Sequence, residues 1–233
     1  MIFLLFNNKD KLKKTNKKFL GELQYNNIFT NKNKTKLSEK NMFVLNNNNS
    51  SYLFIKEFIR NNLDLGLVSF CCCPGLIKKE NAINAISEEN WIRELIEEGF
   101  SPKNIILAGI RKFCCEEEKI IREKGINCFS RDELFLNIEE TGDDLYDSLR
   151  KFEKIHLSLN LNVLDPAFVP DIKQKEPNGL IPSEFFYLLK RVLILNNIKS
   201  IDIVLNNDED NLSETSNALL KKILELIQNR FEI

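Results

Sequence analysis

The sequence predicts an α/β chain: a three-layer α/β/α sandwich with a mainly parallel sheet. Three observations predict it. Short apolar runs alternate with amphipathic segments, the order in which strands and crossover helices follow one another in a parallel sheet. Ile155, Leu157, Leu159, Leu161 and Val163 alternate with His156, Ser158, Asn160 and Asn162, and that period of two marks a strand with one apolar face. The 233 residues suffice for one domain with a sizeable core.

The elements follow in order. Residues 2–6, IFLLF, read as a first buried strand. Residues 7–41 hold ten lysines against three acidic residues and few large apolar side chains. They read as a loosely packed, solvated surface segment. The expected division is therefore 1–41, a short strand plus an Asn/Lys-rich segment, and 42–233, the α/β domain. Residues 42–45 form a second strand, and Ser50 or Ser51 is placed to cap a helix from Tyr52. Residues 67–70 form a third strand, ending in Cys71-Cys72-Cys73-Pro74-Gly75. A helix is expected over 84–98, with Ile86, Trp91, Leu95 and Ile96 on one face and Gly99 as its stop. Then come a strand at 105–108, a helix at 116–124, a strand at 126–129, and helices at 131–136 and 143–151. The strand 155–163 stops at Asp165-Pro166, and Pro170, Pro177 and Gly179 keep the next stretch an ordered loop. A helix at 183–196, a strand at 200–205 and a helix at 213–230 complete the chain.

Composition narrows the function. The formal net charge is −1, so there is no general case for nucleic acid. No apolar run approaches the roughly 20 residues of a membrane span, and MIFLLF is shorter than the h-region of a signal peptide. The six cysteines include Cys71-Cys72-Cys73 and Cys114-Cys115. Consecutive cysteines are not a disulfide framework, so free thiols in a reducing cytoplasm are expected.

Residues 155–184 carry Ser158, Asp165-Pro166, Pro170 and Gly179-Leu180 ahead of Glu184. In length and order this resembles the C-terminal signature of the ureohydrolase (arginase/agmatinase) family: S-x-D-x-D-x-x-D-P, a proline-containing loop, then G-L-x-x-x-E. The resemblance extends over residues 42–230. Val44–Ser50 is similar to the family's strand before G-G-D-H-S, Val68–Leu76 to the strand ending in D-A-H-P-D, and Leu107–Arg111 to the G-I-R turn that holds Gly109 and Arg111. Relative to the family, the N-terminal region is abbreviated.

The resemblance implies a site for two manganese ions sharing a bridging hydroxide. The six metal-ligand positions fall on Asn49, Cys71, Cys73, Gly75, Asn160 and Asn162, and none keeps its family residue. The substrate-facing glutamate of a late strand falls on Leu205. The only histidine, His156, is not at a ligand position. A further active-site histidine of the family is also absent, whatever the local alignment near Glu88. Two divalent ions about 3.5 Å apart repel by about 19 kcal/mol at an effective dielectric of about 20. In the family four aspartates offset that repulsion, whereas Asn160, Asn162 and Gly75 supply no charge. No catalytic residue and no cofactor is then expected. Two cofactor alternatives stand beside this: the family's manganese, or zinc held by Cys71 and Cys73, whose C-x-C spacing puts both thiols on one side of a strand end. Thiols that fill space are the competing reading. Asp165 reads as a turn residue, Trp91 as packing, and Arg111 equally as a loop cap or a subunit contact.

The function expected is that of a catalytically inactive ureohydrolase-like protein. It would act in a homo-oligomer, or in a hetero-oligomer with an active ureohydrolase. One alternative is a hydrolase of C–N bonds in linear amidines and guanidino compounds with an altered metal site. The other is a small-molecule binding module.

Overall fold

In a computed structural model the protein is described at residues 52, 55, 56, 64–78, 86–205 and 212–230, and at the backbone of 2–6, 41–45 and 231. Among the described residues, seven strands form one sheet, and every pairing is parallel. They are β1 (Ile2–Phe6), β2 (Asn41–Leu45), β3 (Leu65–Phe70), β4 (Ile105–Ile110), β5 (Asn127–Ser130), β6 (Lys154–Asn160) and β7 (Ile198–Val204). Their order is β1-β2-β7-β6-β3-β4-β5. The helices whose bounds are described are α1 (Trp91–Glu97), α2 (Cys115–Lys124), α3 (Arg131–Leu136), α4 (Ile138–Leu149), α5 (Pro182–Leu193) and α6 (Glu214–Phe231). None among the described residues is long and apolar enough to cross a membrane.

Both faces of the sheet are covered, because successive strand residues point to opposite sides. On β3 and β4, Leu65, Leu67, Ile105 and Leu107 pack with Trp91, Ile92 and Leu95 of α1. Their neighbours Val68, Phe70, Ile106 and Ala108 join the larger cluster with α3–α6. On β6 only one face is apolar: Ile155, Leu157 and Leu159 enter the larger cluster. The other face carries His156, Ser158 and Asn160, all buried. Burying them requires partners, which β7 supplies for His156 and Ser158. Ser158 Oγ donates to Asp202 Oδ1 at 2.7 Å, His156 Nε2 lies 2.8 Å from Asp202 Oδ2, and His156 Nδ1 lies 2.7 Å from Ser200 Oγ.

Three expected elements differ. The strand at 155–163 ends at Asn160, because Leu161–Val163 turn as a 3₁₀ helix with Asn160 as its N-cap. The apolar alternation continues through that turn, since Leu161 and Val163 are buried too. The helix expected over 84–98 begins at Trp91. Residues 86–90 are a turn instead, closed by Asn90 Oδ1 accepting from Ser87 N at 3.0 Å. The helix expected from 143 begins at Ile138, where the Asn137 side chain accepts from Glu140 N as a cap. The remaining boundaries agree within a few residues. Of the expected segment at 7–41, residue Asn41 opens β2; residues 7–40, the cap at Ser50 or Ser51 and the site position Asn49 lie outside the described residues.

The loop between β6 and α5 is held by Asp165, Gly179 and Glu184. Asp165 accepts from Ala167 N at 3.0 Å and from Gly179 N at 3.1 Å. Gly179 lies so close to the chain at Leu164 and Asp165 that a Cβ would sit 2.3 Å from Asp165 N and from the Leu164 carbonyl carbon. Glu184 accepts from Ile181 N at 3.0 Å to cap α5 and pairs with the buried Arg131 at 3.1 Å. Gly109 has a φ of 86° at the β-bulge against β5. A Cβ there would meet Val163 Cγ2 at 2.4 Å.

A methyl group at Gly179 would strike backbone, which no rotamer change relieves. Gly179→Ala is expected to lower stability by about 3 kcal/mol, read as a shift in urea midpoint. Asp171 gives a second test. Its Oδ2 accepts from Ser213 N at 2.9 Å and Ser213 Oγ at 2.7 Å, just ahead of α6. Burial raises its pKa, but hydrogen bonds from Ser216 and Ser213 outweigh that and hold it below the ordinary value. A depressed carboxyl stabilises above its unfolded pKa of about 3.9 and loses that as pH falls through the folded value. Asp171→Asn should therefore cost about 1 kcal/mol at pH 7, and in urea titrations the gap to wild type should narrow as pH falls below about 4.

Candidate functional site

Sites in parallel sheets lie at the carboxyl ends of the strands. Here those ends bring together Cys71–Gly75 after β3, Arg111 after β4 and Asn160 at the end of β6. The 3₁₀ turn then carries Asn162 over the same edge. All of Cys71, Cys72, Cys73, Asn160 and Asn162 are buried.

The two asparagines are oriented by the backbone. Asn160 Oδ1 accepts from Asn162 N at 3.0 Å, and Asn162 Oδ1 accepts from Cys72 N at 3.0 Å. A backbone N–H can only donate, so each amide must present its oxygen there and turn its NH₂ the other way. The two NH₂ groups converge on one carboxylate. Asn160 Nδ2 donates to Glu88 Oε1 at 3.1 Å, and Asn162 Nδ2 donates to Glu88 Oε2 at 3.4 Å. Asn162 Nδ2 also reaches Gln174 Oε1 at 3.3 Å, an oxygen shared with the Cys72 and Cys73 thiols at 3.4 and 3.7 Å.

The thiols do not form a common ligand set. Cys71 packs in the apolar cluster under α1 and takes a hydrogen bond from Ser69 Oγ at 3.4 Å. Cys73 Sγ faces Gln174 and the Glu88 carbonyl oxygen instead. Burial pushes the Cys71 thiol far above its ordinary pKa. The hydrogen bond with Cys72, together with burial, raises Cys73 as well. Burial pushes Cys128 up to about 12. Protonated, enclosed thiols are neither nucleophiles nor metal ligands. Cys114 and Cys115 are exposed, so only the other four fill interior space. No group of three or more His, Cys, Asp or Glu among the described residues is arranged to hold a metal ion.

Gly75 adopts a φ of 69°, and a Cβ would meet the Glu88 carbonyl oxygen at 2.9 Å and the Trp91 ring at 3.0 Å. That position is backbone packed on the buried Trp91. Leu205 is half-buried against the main core. Arg111 resolves to a loop clamp. Its guanidinium donates to the carbonyl oxygens of Asn162, Val163 and Leu164 at 2.9, 3.2 and 3.3 Å, and of Glu176 and Pro177 at 2.8 and 3.0 Å.

A dinuclear manganese centre does not fit these groups. Cations of that kind need oxygen, nitrogen or thiolate acceptors, while Asn160 and Asn162 turn N–H donors inward and spend their oxygens on backbone. Beside the cleft lies a cavity of about 190 Å³ lined by Cys73, Ile77, Phe113 and Gln174 among others. That is below the roughly 300–1,000 Å³ of small-molecule pockets.

Sequence reasoning did not reach Glu88 and Gln174, which contact the asparagines from 72 and 12 positions away. The one available signal for Glu88 was a charged residue ahead of the helix that begins at Trp91. Arg131 was missed as well; its signal was an arginine at the first position of a short helix after a strand.

Asn160→Asp would set a second carboxylate against Glu88 in a buried site. It is expected to lower stability by about 3 kcal/mol at pH 7.5, measured by urea unfolding in the presence of a chelator.

Comparison with known proteins agrees with this architecture. The profile of the arginase family matches residues 64–228. Among solved structures, arginase from Bacillus caldovelox superposes with a TM-score of 0.71 at 18% identity, over 80% of this chain and 67% of that one. Formimidoylglutamase from Bacillus subtilis gives 0.74 at 19%, over 82% and 61%. Entamoeba histolytica arginase, solved in complex with L-ornithine, gives 0.75 at 15%, over 97% of both chains. At these identities the superpositions speak for fold alone; the family profile, matched over well more than half of the sequence, shows that the chain belongs to the arginase family.

Proposed function

We propose that this protein is a non-catalytic member of the arginase family that acts through protein association. The observation that carries the reading is the inward NH₂ face of Asn160 and Asn162, closed on Glu88. Hydrolysis of a guanidino carbon needs a nucleophilic water at neutral pH, and a metal ion generates one by lowering the pKa of bound water. Among the described residues, a centre of two N–H donors closed on one internal carboxyl group is poorly suited to hold such an ion.

Association takes its support from the surface. Phe135 and Leu136, at the end of α3, are 71% and 82% exposed, and Ile181 and Ile194 are exposed as well. Exposed large apolar side chains of this kind suit an interface with a second copy or with an active ureohydrolase. The free cysteines suit a reducing compartment, and we assign the protein to the cytoplasm.

The second reading is a metal-dependent hydrolase of C–N bonds in linear amidines with a remodelled site. It is favoured by the family match over residues 64–228. Elemental analysis and urea release separate the two. Purified protein incubated with manganese and then desalted is expected to retain less than about 0.1 equivalent and to release no chelator-sensitive urea from arginine or agmatine. Two retained equivalents with turnover would overturn the first reading. Mass in solution, alone and mixed with an active relative, should show a species larger than one chain.

A further inference from the structure

We propose that the centre of the cleft is a receptor for a carboxylate, and that the Glu88 side chain is its built-in occupant. Three features point to it. The donors are paired: the two amide nitrogens each reach a different oxygen of the same carboxylate, at 3.1 and 3.4 Å. A planar oxyanion is recognised in this two-point manner. The donors are fixed independently of Glu88, because the backbone N–H groups of Asn162 and Cys72 hold the amide oxygens. The stretch bearing Glu88 is also held without its carboxylate. Ser87 N donates to Asn90 Oδ1, Trp91 N donates to Ser87 O, and Cys73 Sγ donates to the Glu88 carbonyl oxygen.

The receptor therefore outlasts its occupant. Truncating Glu88 to alanine removes one CH₂ and the carboxylate, the heavy atoms of acetate. The site then has the size, the donors and the orientation to take acetate or formate from solution. Chloride is a single atom and cannot give each amide its own acceptor, and acetamide offers a single carbonyl.

The test is thermal unfolding of Glu88→Ala in 100 mM sodium acetate against 100 mM sodium chloride at pH 7.5. With a Kd of about 10 mM, acetate is expected to raise the variant's Tm by about 4 °C, saturably. It should leave wild type, whose receptor is filled, unmoved. Glu88→Ala combined with Asn160→Leu should lose the rescue. Equal shifts in variant and wild type, or no shift in a folded variant, would overturn the proposal. Glu88→Gln supplies an arm that does not depend on tolerating a cavity. It keeps the packing but sets an NH₂ against one of the two donors, so its Tm should fall by about 4 °C or more. An unchanged Tm would overturn the receptor. The inference shares the amide orientation with the proposed function, but its readout uses no metal and no substrate. Turnover by wild type would sink that function and leave the receptor standing, and failed acetate rescue would do the reverse.

Discussion

Two backbone N–H groups, those of Cys72 and Asn162, decide what the cleft can hold. Neither can accept a hydrogen bond, so each takes the oxygen of a buried asparagine. The polarity of the cleft follows from that. An aspartate with the same backbone contact would still have a second oxygen to turn inward, whereas an asparagine has only NH₂. The chemistry of the centre thus follows from one atom per side chain, while the backbone contact that positions it is the same for both. Glu88 closes that face by setting its two oxygens against the two NH₂ donors.

The groups retained from the family signature hold the scaffold. Asp165 and Gly179 form one contact, a carboxylate on a backbone N–H at a place where only a glycine fits. Gly109 gives Val163 room at the bulge, and Arg111 gathers carbonyl oxygens from both ends of the Asn162–Pro177 loop. Ser158 binds Asp202 across the β6–β7 ladder. These contacts belong to the scaffold over which the chain is matched to the arginase family.

This division explains what the sequence made legible. The strands could be read because alternation along β6 and the apolar runs of β3 and β4 are local patterns. The loop could be read because Asp165-Pro166 and Gly179 have local backbone roles. The end of β6 could not be placed, since Leu161 and Val163 keep the alternation while the backbone has already turned. Nor could α4, whose first turn is fixed by the Asn137 cap rather than by an apolar stripe. The site was legible only as a set of positions. That Asn160 and Asn162 face Glu88 depends on a contact across 72 residues of chain, which no periodicity encodes. The cysteines gave a misleading signal: C-x-C spacing suggests convergence, but Cys71 turns into the apolar cluster and Cys73 toward Gln174.

The strand order carries a consequence for how the chain is assembled. β7 lies between β2 and β6, so the β1–β2 pair joins the rest of the sheet only through it. The ribosome delivers β7 late, after every other strand. Until then β3, β4, β5 and β6 can form a four-stranded half on their own, while the edges of β2 and β6 that β7 will join stay unpaired. Such an open edge is a template for another chain, so the interval before Ile198–Val204 emerges is when a nascent chain is most exposed to mispairing.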